Sequence, residues 1–226
     1  RKLLVIFRGI NTNYFNSQKV SPIKLNKFCQ QHNIDRNKFI ILLPGRLTAL
    51  EGQKIFIEAI NLLCKKDNIL PIEAIILGSH QGRDVYKKQL LSLVQQHRLS
   101  KTIKFIDRCE EMPTAYGAAN LVCSCSYEPE AFGRVSVEAQ SMQIPIIASN
   151  IGGSKETIIE GRTGYLFKNK DPEDLANLIT TLMQKDYNSL KNIGLEGRKN
   201  VTKKFDVDKM CYTTFTEYNK LIKSSQ

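Results

Sequence analysis

The segment Tyr127-Glu128-Pro129-Glu130-Ala131-Phe132-Gly133-Arg134-Val135-Ser136-Val137-Glu138-Ala139 gathers the residue types most able to do chemistry. Glu130 lies just ahead of a glycine, and Glu138 follows eight residues later, inside a helical pattern. Gly133 at the start of that helix leaves backbone N–H groups uncovered, and such groups hold phosphate. One element thus offers an anion cradle with a hydroxyl-accepting carboxylate on either side. That layout suits a sugar joined by a diphosphate to a ribose. Glu138 sits among Val135, Val137 and Ala139, where burying an unpaired carboxylate is costly, so a binding role fits it better than solvation. Glu128, beside Pro129, reads as a solvated charge, and Arg134 as a surface residue. His80, in another loop near where phosphates would lie, reads as solvated, with donor contact the alternative, while His32 and His97, near helix ends, read as structural.

The elements that must position these residues alternate between strand and helix. Phe39–Leu43, Glu73–Leu77, Ile103–Ile106, Leu121–Cys125 and Pro145–Ser149 are short apolar runs, the pattern of strands buried on both faces of a parallel sheet. Gly164–Phe167 adds a sixth. Helical patterns over Gln53–Lys66, Asp84–His97, Met112–Ala119 and Phe132–Met142 separate them. From Asp171 onward the pattern is wholly helical, opening on Asp171-Pro172-Glu173-Asp174 and continuing over Tyr187–Phe205 and Val207–Ile222. The fold class is therefore α/β, a Rossmann-like doubly wound parallel sheet with C-terminal helices. Ligands of such sheets bind outside the carboxyl ends of the strands. Five loops meet there: 44–52, 78–83, 107–112, 126–133 and 150–155. Leu3–Phe7 reads as an opening strand and Gly9–Pro22 as a linker. The chain divides into a strand and linker (1–20), a binding domain (21–205) and a final helix (206–226).

Composition narrows the function classes. The 226 residues suffice for a core that needs no staples, and 42% hydrophobic with 24% charged residues excludes wholesale disorder. No apolar run approaches the ~20 residues of a spanning helix, and the opening stretch lacks a signal-peptide cleavage site. The chain begins without Met and reads as a piece of something longer. Its 33 Lys and Arg against 22 acidic residues, net +11, favour an anionic partner. The basic residues are scattered and Trp is absent, which argues against a nucleic-acid interface. The six cysteines form no CxxC pair, so they read as reduced thiols of a cytoplasmic protein, with no metal site.

The segment from Glu130 to Ala139 resembles the signature of the family 4 retaining GT-B glycosyltransferases. Other segments are similar to that family in the same order: Pro44-Gly45-Arg46-Leu47 with Glu51-Gly52; Leu77-Gly78 with Gln81-Gly82-Arg83; Ile151-Gly152-Gly153-Ser154; and Gly161-Arg162-Thr163-Gly164-Tyr165-Leu166. Arg8–Thr12 with Phe15 resembles the passage between the family's two lobes. The resemblance covers nearly the whole chain and implies one lobe of a GT-B fold, the lobe that binds a nucleoside-diphosphate sugar. It implies that Glu130 contacts the transferred sugar and that Phe132 and Gly133 offer backbone N–H groups to the sugar or diphosphate. Glu138 would accept from the ribose, and Arg46 would neutralise the leaving diphosphate. Gly78 would line the donor site, with Arg108 or Cys109 beside the base. It favours a UDP-sugar over a GDP-sugar, with no cofactor and no metal.

One position departs from the family. A lysine usual before the glycine corresponding to Gly52 is replaced by Glu51, whose charge repels a diphosphate by about 1 kcal/mol; Lys54, three residues on, is the nearest substitute. The resemblance further implies an absent amino-terminal lobe carrying the acceptor site, so that this piece binds nucleotide without turnover. An envelope glycan such as lipopolysaccharide is the expected product. The basic surface suggests peripheral contact with the inner membrane face. A degenerate, non-catalytic nucleotide-sugar-binding domain is the alternative reading.

Overall fold

A computed structural model of the chain describes residues 3–224. Six strands form one sheet: β1 (Phe39–Pro44), β2 (Ile72–Leu77), β3 (Ile103–Ile106), β4 (Leu121–Ser124), β5 (Ile146–Ser149) and β6 (Tyr165–Phe167). Their spatial order is β3-β2-β1-β4-β5-β6, with every neighbouring pair parallel. Order reverses between β1 and β4, which opens a crevice at the carboxyl ends of the strands.

Residues of β1 alternate between two cores, as strand geometry requires. Ile41 and Leu43 join the layer under α2 (Gln53–Cys64), α3 (Asp84–Gln96) and α7 (Pro172–Met183). Ile40 and Leu42 join the layer under α1 (Pro22–Gln31), α4 (Met112–Ala118) and α5 (Arg134–Ser141). All four are essentially inaccessible to water, each burial being worth about 1.5–3 kcal/mol. Against α5 packs α8 (Tyr187–Lys204), and a short α6 (Ser154–Thr157) follows the Gly152-Gly153 turn. The last helix, α9 (Val207–Ser224), leaves Tyr212, Phe215 and Tyr218 largely exposed.

Three features differ from the sequence reading. Leu3–Phe7 forms no strand: Leu3, Leu4, Val5 and Phe7 are exposed, and no sheet edge among the described residues receives them. The chain is instead tied down at Ile10, whose N–H donates to Phe205 O at 2.9 Å while its carbonyl accepts from Val207 N at 3.0 Å. Helix α5 begins at Arg134 rather than Phe132, because Gly133 is a left-handed cap with φ 71°. Helix α1 went unread: it buries only Phe28 and Cys29, too few for a clear periodic face. The signal for it was Ser21-Pro22, where the serine hydroxyl accepts from Lys24 N and proline takes the first helical position.

Candidate functional site

Four of the five loops at the carboxyl ends of the strands are fastened together by close backbone approaches. Gly52 (φ +71°) lies so near the end of β4 that a Cβ would sit 1.8 Å from Cys125 O. Gly78 touches the loop after β1, where a Cβ would meet Gly45 O at 1.8 Å. Gly152 (φ +52°) presses on the loop of the two carboxylates, 2.5 Å from Glu130 O for the same added atom. Gly153 N then donates to Glu130 O at 2.7 Å. Glycine at these points lets the ends of β1, β2, β4 and β5 share one floor.

On that floor Arg46, Glu51 and Glu130 form one electrostatic group. Arg46 Nε lies 3.6 Å from Glu51 Oε1, with the arginine side chain 62% exposed and the glutamate 23%. Burial raises the Glu51 carboxyl above the usual range, opposed by Arg46. Glu130 is raised too, by burial first and then by the charge of Glu51, again with Arg46 opposing. The Arg46 backbone is fixed from beneath, since fully buried Gln53 donates to its carbonyl at 2.8 Å and accepts from Tyr86 Oη at 3.1 Å. Lys54 is not drawn into this group: its ammonium lies 5.9 Å from the centre of the Tyr86 ring.

The other carboxylate is set deeper. Glu138, 7% exposed, accepts from buried Tyr116 Oη at 2.9 Å and from Arg134 Nη2 at 3.0 Å. Burial nevertheless raises its carboxyl, the Tyr116 and Arg134 hydrogen bonds working against the rise. Each carboxylate oxygen keeps a further acceptor position for a hydroxyl. Arg134 is exposed, as its sequence position suggests, but it also pairs with Glu138, a partnership signalled by the four-residue spacing on one helix. Between the carboxylates, the N–H groups of Phe132 and Gly133 donate to no protein acceptor among the described residues. They lie at the positive end of α5.

Glu138, Arg134 and Phe132 line a cleft of ≈ 570 Å³ together with Arg8, Asn11, Tyr14, Met112 and Met210. Arg108 and Cys109 line a different one, of ≈ 400 Å³, with Lys24, Lys27, Phe28 and His32. The sequence analysis sets Arg108 or Cys109 beside the base of the donor whose ribose Glu138 meets, whereas in the structure the two line the cleft beside α1. Tyr14 was missed, for nothing in its immediate sequence marks a site. His80 is not merely solvated: its Nδ1 lies 3.3 Å from Asp84 Oδ1. His97 pairs with Glu58 at 2.9 Å, and His32 packs edge-on against Phe28. Among the described residues, no three His, Cys, Asp or Glu side chains gather as a metal site, and no helix is long and apolar enough to cross a membrane.

A six-stranded, all-parallel, doubly wound sheet of this order is the architecture of one lobe of a GT-B fold. The description of the glycosyl transferases group 1 matches residues 26–200, and the chain belongs to that family. It is 30% identical over 149 residues to a D-inositol 3-phosphate glycosyltransferase of Corynebacterium efficiens, covering 65% of this chain and 35% of that protein. A solved glycosyltransferase from Rickettsia africae superimposes with a TM-score of 0.93 at 30% identity, covering 98% of this chain and 58% of that one. Anabaena Alr3699/HepE, solved in complex with UDP-glucose, superimposes with a TM-score of 0.85 at 28% identity, over 96% of this chain and 57% of that one. The chain thus spans about half the length of the curated relatives it matches, the matched stretches covering 35% to 50% of them.

Proposed function

We propose that the chain is the donor-binding lobe of a glycosyltransferase that moves a sugar from a nucleoside diphosphate to a hydroxyl acceptor with retention of configuration. The observation that carries this reading is the β4–α5 unit, in which Glu130, within the field of Arg46, two uncovered N–H groups and buried Glu138 follow in succession. In this reading Glu138 accepts from the ribose hydroxyls, held for that task by Tyr116 and Arg134. The N–H groups of Phe132 and Gly133 hold the diphosphate or the sugar. Glu130 accepts from sugar hydroxyls near the reacting carbon. Cleavage of the bond between that carbon and the phosphate oxygen leaves charge on the diphosphate, and Arg46 with the α5 end stabilises it. No metal enters this scheme. A uridine donor is favoured by the likeness to a protein solved with UDP-glucose.

The acceptor and the rest of the catalytic cleft would belong to a second, amino-terminal lobe, so the isolated chain binds donor without turnover. An envelope glycan as product, and a cytoplasmic enzyme resting on an anionic membrane face, suit the net charge of +11. Incubation of the isolated chain with UDP-glucose and acceptor lipids tests the division of labour; sugar transfer would overturn it.

The second reading, a degenerate domain without catalysis, is favoured by the Arg46–Glu51 pair at 3.6 Å, which occupies the cation needed by the diphosphate. Glu51→Lys in a two-lobed protein, with transfer measured at saturating donor so that affinity alone does not change the rate, separates the two readings. A large gain in transfer supports degeneracy; an unchanged rate supports a site already adapted to Glu51.

A further inference from the structure

The cleft beside Glu138 has one wall that the β4–α5 unit does not supply, and this inference rests on the donor-site reading of that cleft. The wall is the turn Asn11–Phe15. Asn11 Oδ1 accepts from the N–H groups of Asn13 at 3.0 Å and Tyr14 at 2.8 Å, and Phe15 N donates to Asn11 O at 2.9 Å. Tyr14 is thereby held in the cleft with Glu138, Phe132 and Met112, its side chain still 46% exposed. In that cleft it shares the wall with Met112, the first residue of α4, and lies within the field of Glu111 and Glu138. Tyr14 therefore stands between the loop after β3 and the carboxylate of α5.

The turn is also tied to that carboxylate. Phe15 packs edge-on against Tyr116, ring centres 6.0 Å apart, and Tyr116 donates to Glu138. Arg198 has no carboxylate partner among the described residues and is occupied instead by main-chain oxygens. It donates to Phe15 O at 2.9 Å, Ser141 O at 2.5 Å and Thr12 O at 3.3 Å. Ser141, the last residue of α5, donates from its own hydroxyl to Phe15 O at 2.7 Å. A guanidinium in a fixed fork geometry thus joins the turn bearing Tyr14 to the helix bearing Glu138.

We infer that Tyr14 is a donor-recognition residue whose ring and hydroxyl form the wall against which the nucleoside of a nucleoside diphosphate packs, and that Arg198 is the positioning residue that sets this wall relative to Glu138. A half-exposed aromatic ring at the edge of a cleft is suited to packing on a base or ribose, since every base offers a π-face. Tyr14 itself is not among the residues that carry the family resemblance, and the wall would act on the nucleoside rather than on the transferred sugar.

The test is calorimetric titration of the full chain with UDP and with uridine, on wild type, Tyr14→Ala, Tyr14→Phe, Arg198→Lys, the Tyr14→Ala/Arg198→Lys double variant and Glu138→Ala. Tyr14→Ala is expected to raise the UDP Kd about tenfold and weaken uridine equally, with the urea midpoint unchanged. Tyr14→Phe recovers part of the loss. Arg198→Lys weakens UDP in the wild-type background but adds nothing once Tyr14 is gone, whereas a purely structural role would give additive losses. Wild-type affinity in Tyr14→Ala, beside clear loss in Glu138→Ala, overturns this inference and leaves the donor site standing. Additive losses overturn the role of Arg198. Absence of nucleotide binding by the wild type overturns the donor-site reading, and this inference falls with it.

Discussion

Replacing Glu51 by lysine reverses the one charge on the site floor that opposes a diphosphate. Glu51 Oε1 lies 3.6 Å from Arg46 Nε, a distance at which unit charges attract by about 1 kcal/mol under water-like screening and about 5 kcal/mol at an effective dielectric of about 20. The Arg46 side chain is 62% exposed, so the lower figure governs. In the wild type, donor binding must draw Arg46 away from that attraction and bring phosphates toward a carboxylate. Glu51→Lys removes both penalties and adds a cation, for a gain of about 2 kcal/mol, or about thirtyfold in the UDP Kd. Glu51→Gln removes the carboxylate without adding a cation and gains about half that free energy. Uridine, which carries no phosphate, is expected to bind all three proteins alike. Titration at low and moderate salt is the assay, with the gain shrinking as salt rises. A UDP Kd within twofold of wild type in both variants would refute the placement of the diphosphate beside Arg46.

Other expectations follow from the same geometry. Because Glu51 and Glu130 are held above the usual carboxylate range and a bound diphosphate raises them further, donor binding takes up protons. UDP-glucose affinity should therefore rise as pH falls from neutrality toward the raised titration range of these carboxyls, with a smaller slope in Glu51→Gln. The sign is the same for folding: a carboxyl raised in the folded state favours the fold below its unfolded pKa and loses that contribution as pH rises through its folded one. Glu51→Gln should accordingly unfold at no lower urea concentration than wild type near neutral pH. Tyr116→Phe leaves Glu138 with one hydrogen bond fewer in a buried setting and should lower stability by about 1–2 kcal/mol while weakening UDP; a stability change without a change in affinity would detach Glu138 from the donor. Gly52→Ala places a methyl group against Cys125 O at 1.8 Å in a left-handed backbone and should cost about 3 kcal/mol or more in urea unfolding.

Much of this architecture was legible in the sequence because its strands are buried on both faces. Continuous runs such as Phe39–Leu43 and Pro145–Ser149 have few other uses, and each proved to be a strand within one residue or so at its ends. Asp171-Pro172 marked the start of α7, where the carboxylate accepts from Glu173 N and Asp174 N. Local apolarity misled at Leu3–Phe7, since a strand requires a partner edge and among the described residues this segment has none. Of the site, Glu130, Gly133 and Glu138 were readable because they lie on one continuous element. Pairings across elements were not: Tyr116 with Glu138, Glu51 with Arg46, and Tyr14 in the Glu138 cleft depend on the crossing of strands that no local spacing records. Arg108 and Cys109 illustrate the converse, a loop correctly placed at a strand end whose side chains line a separate cleft beside α1.

The central claim is that the Glu138 cleft holds the nucleoside of a nucleotide sugar. Calorimetric titration of the chain with UDP, GDP and ADP, alongside Glu138→Ala, tests it most directly. Saturable binding of UDP in preference to the other two, lost in Glu138→Ala while the urea midpoint stays measurable, is the predicted result. Absence of saturable binding of all three at millimolar concentration, or UDP binding that Glu138→Ala leaves intact, would contradict it.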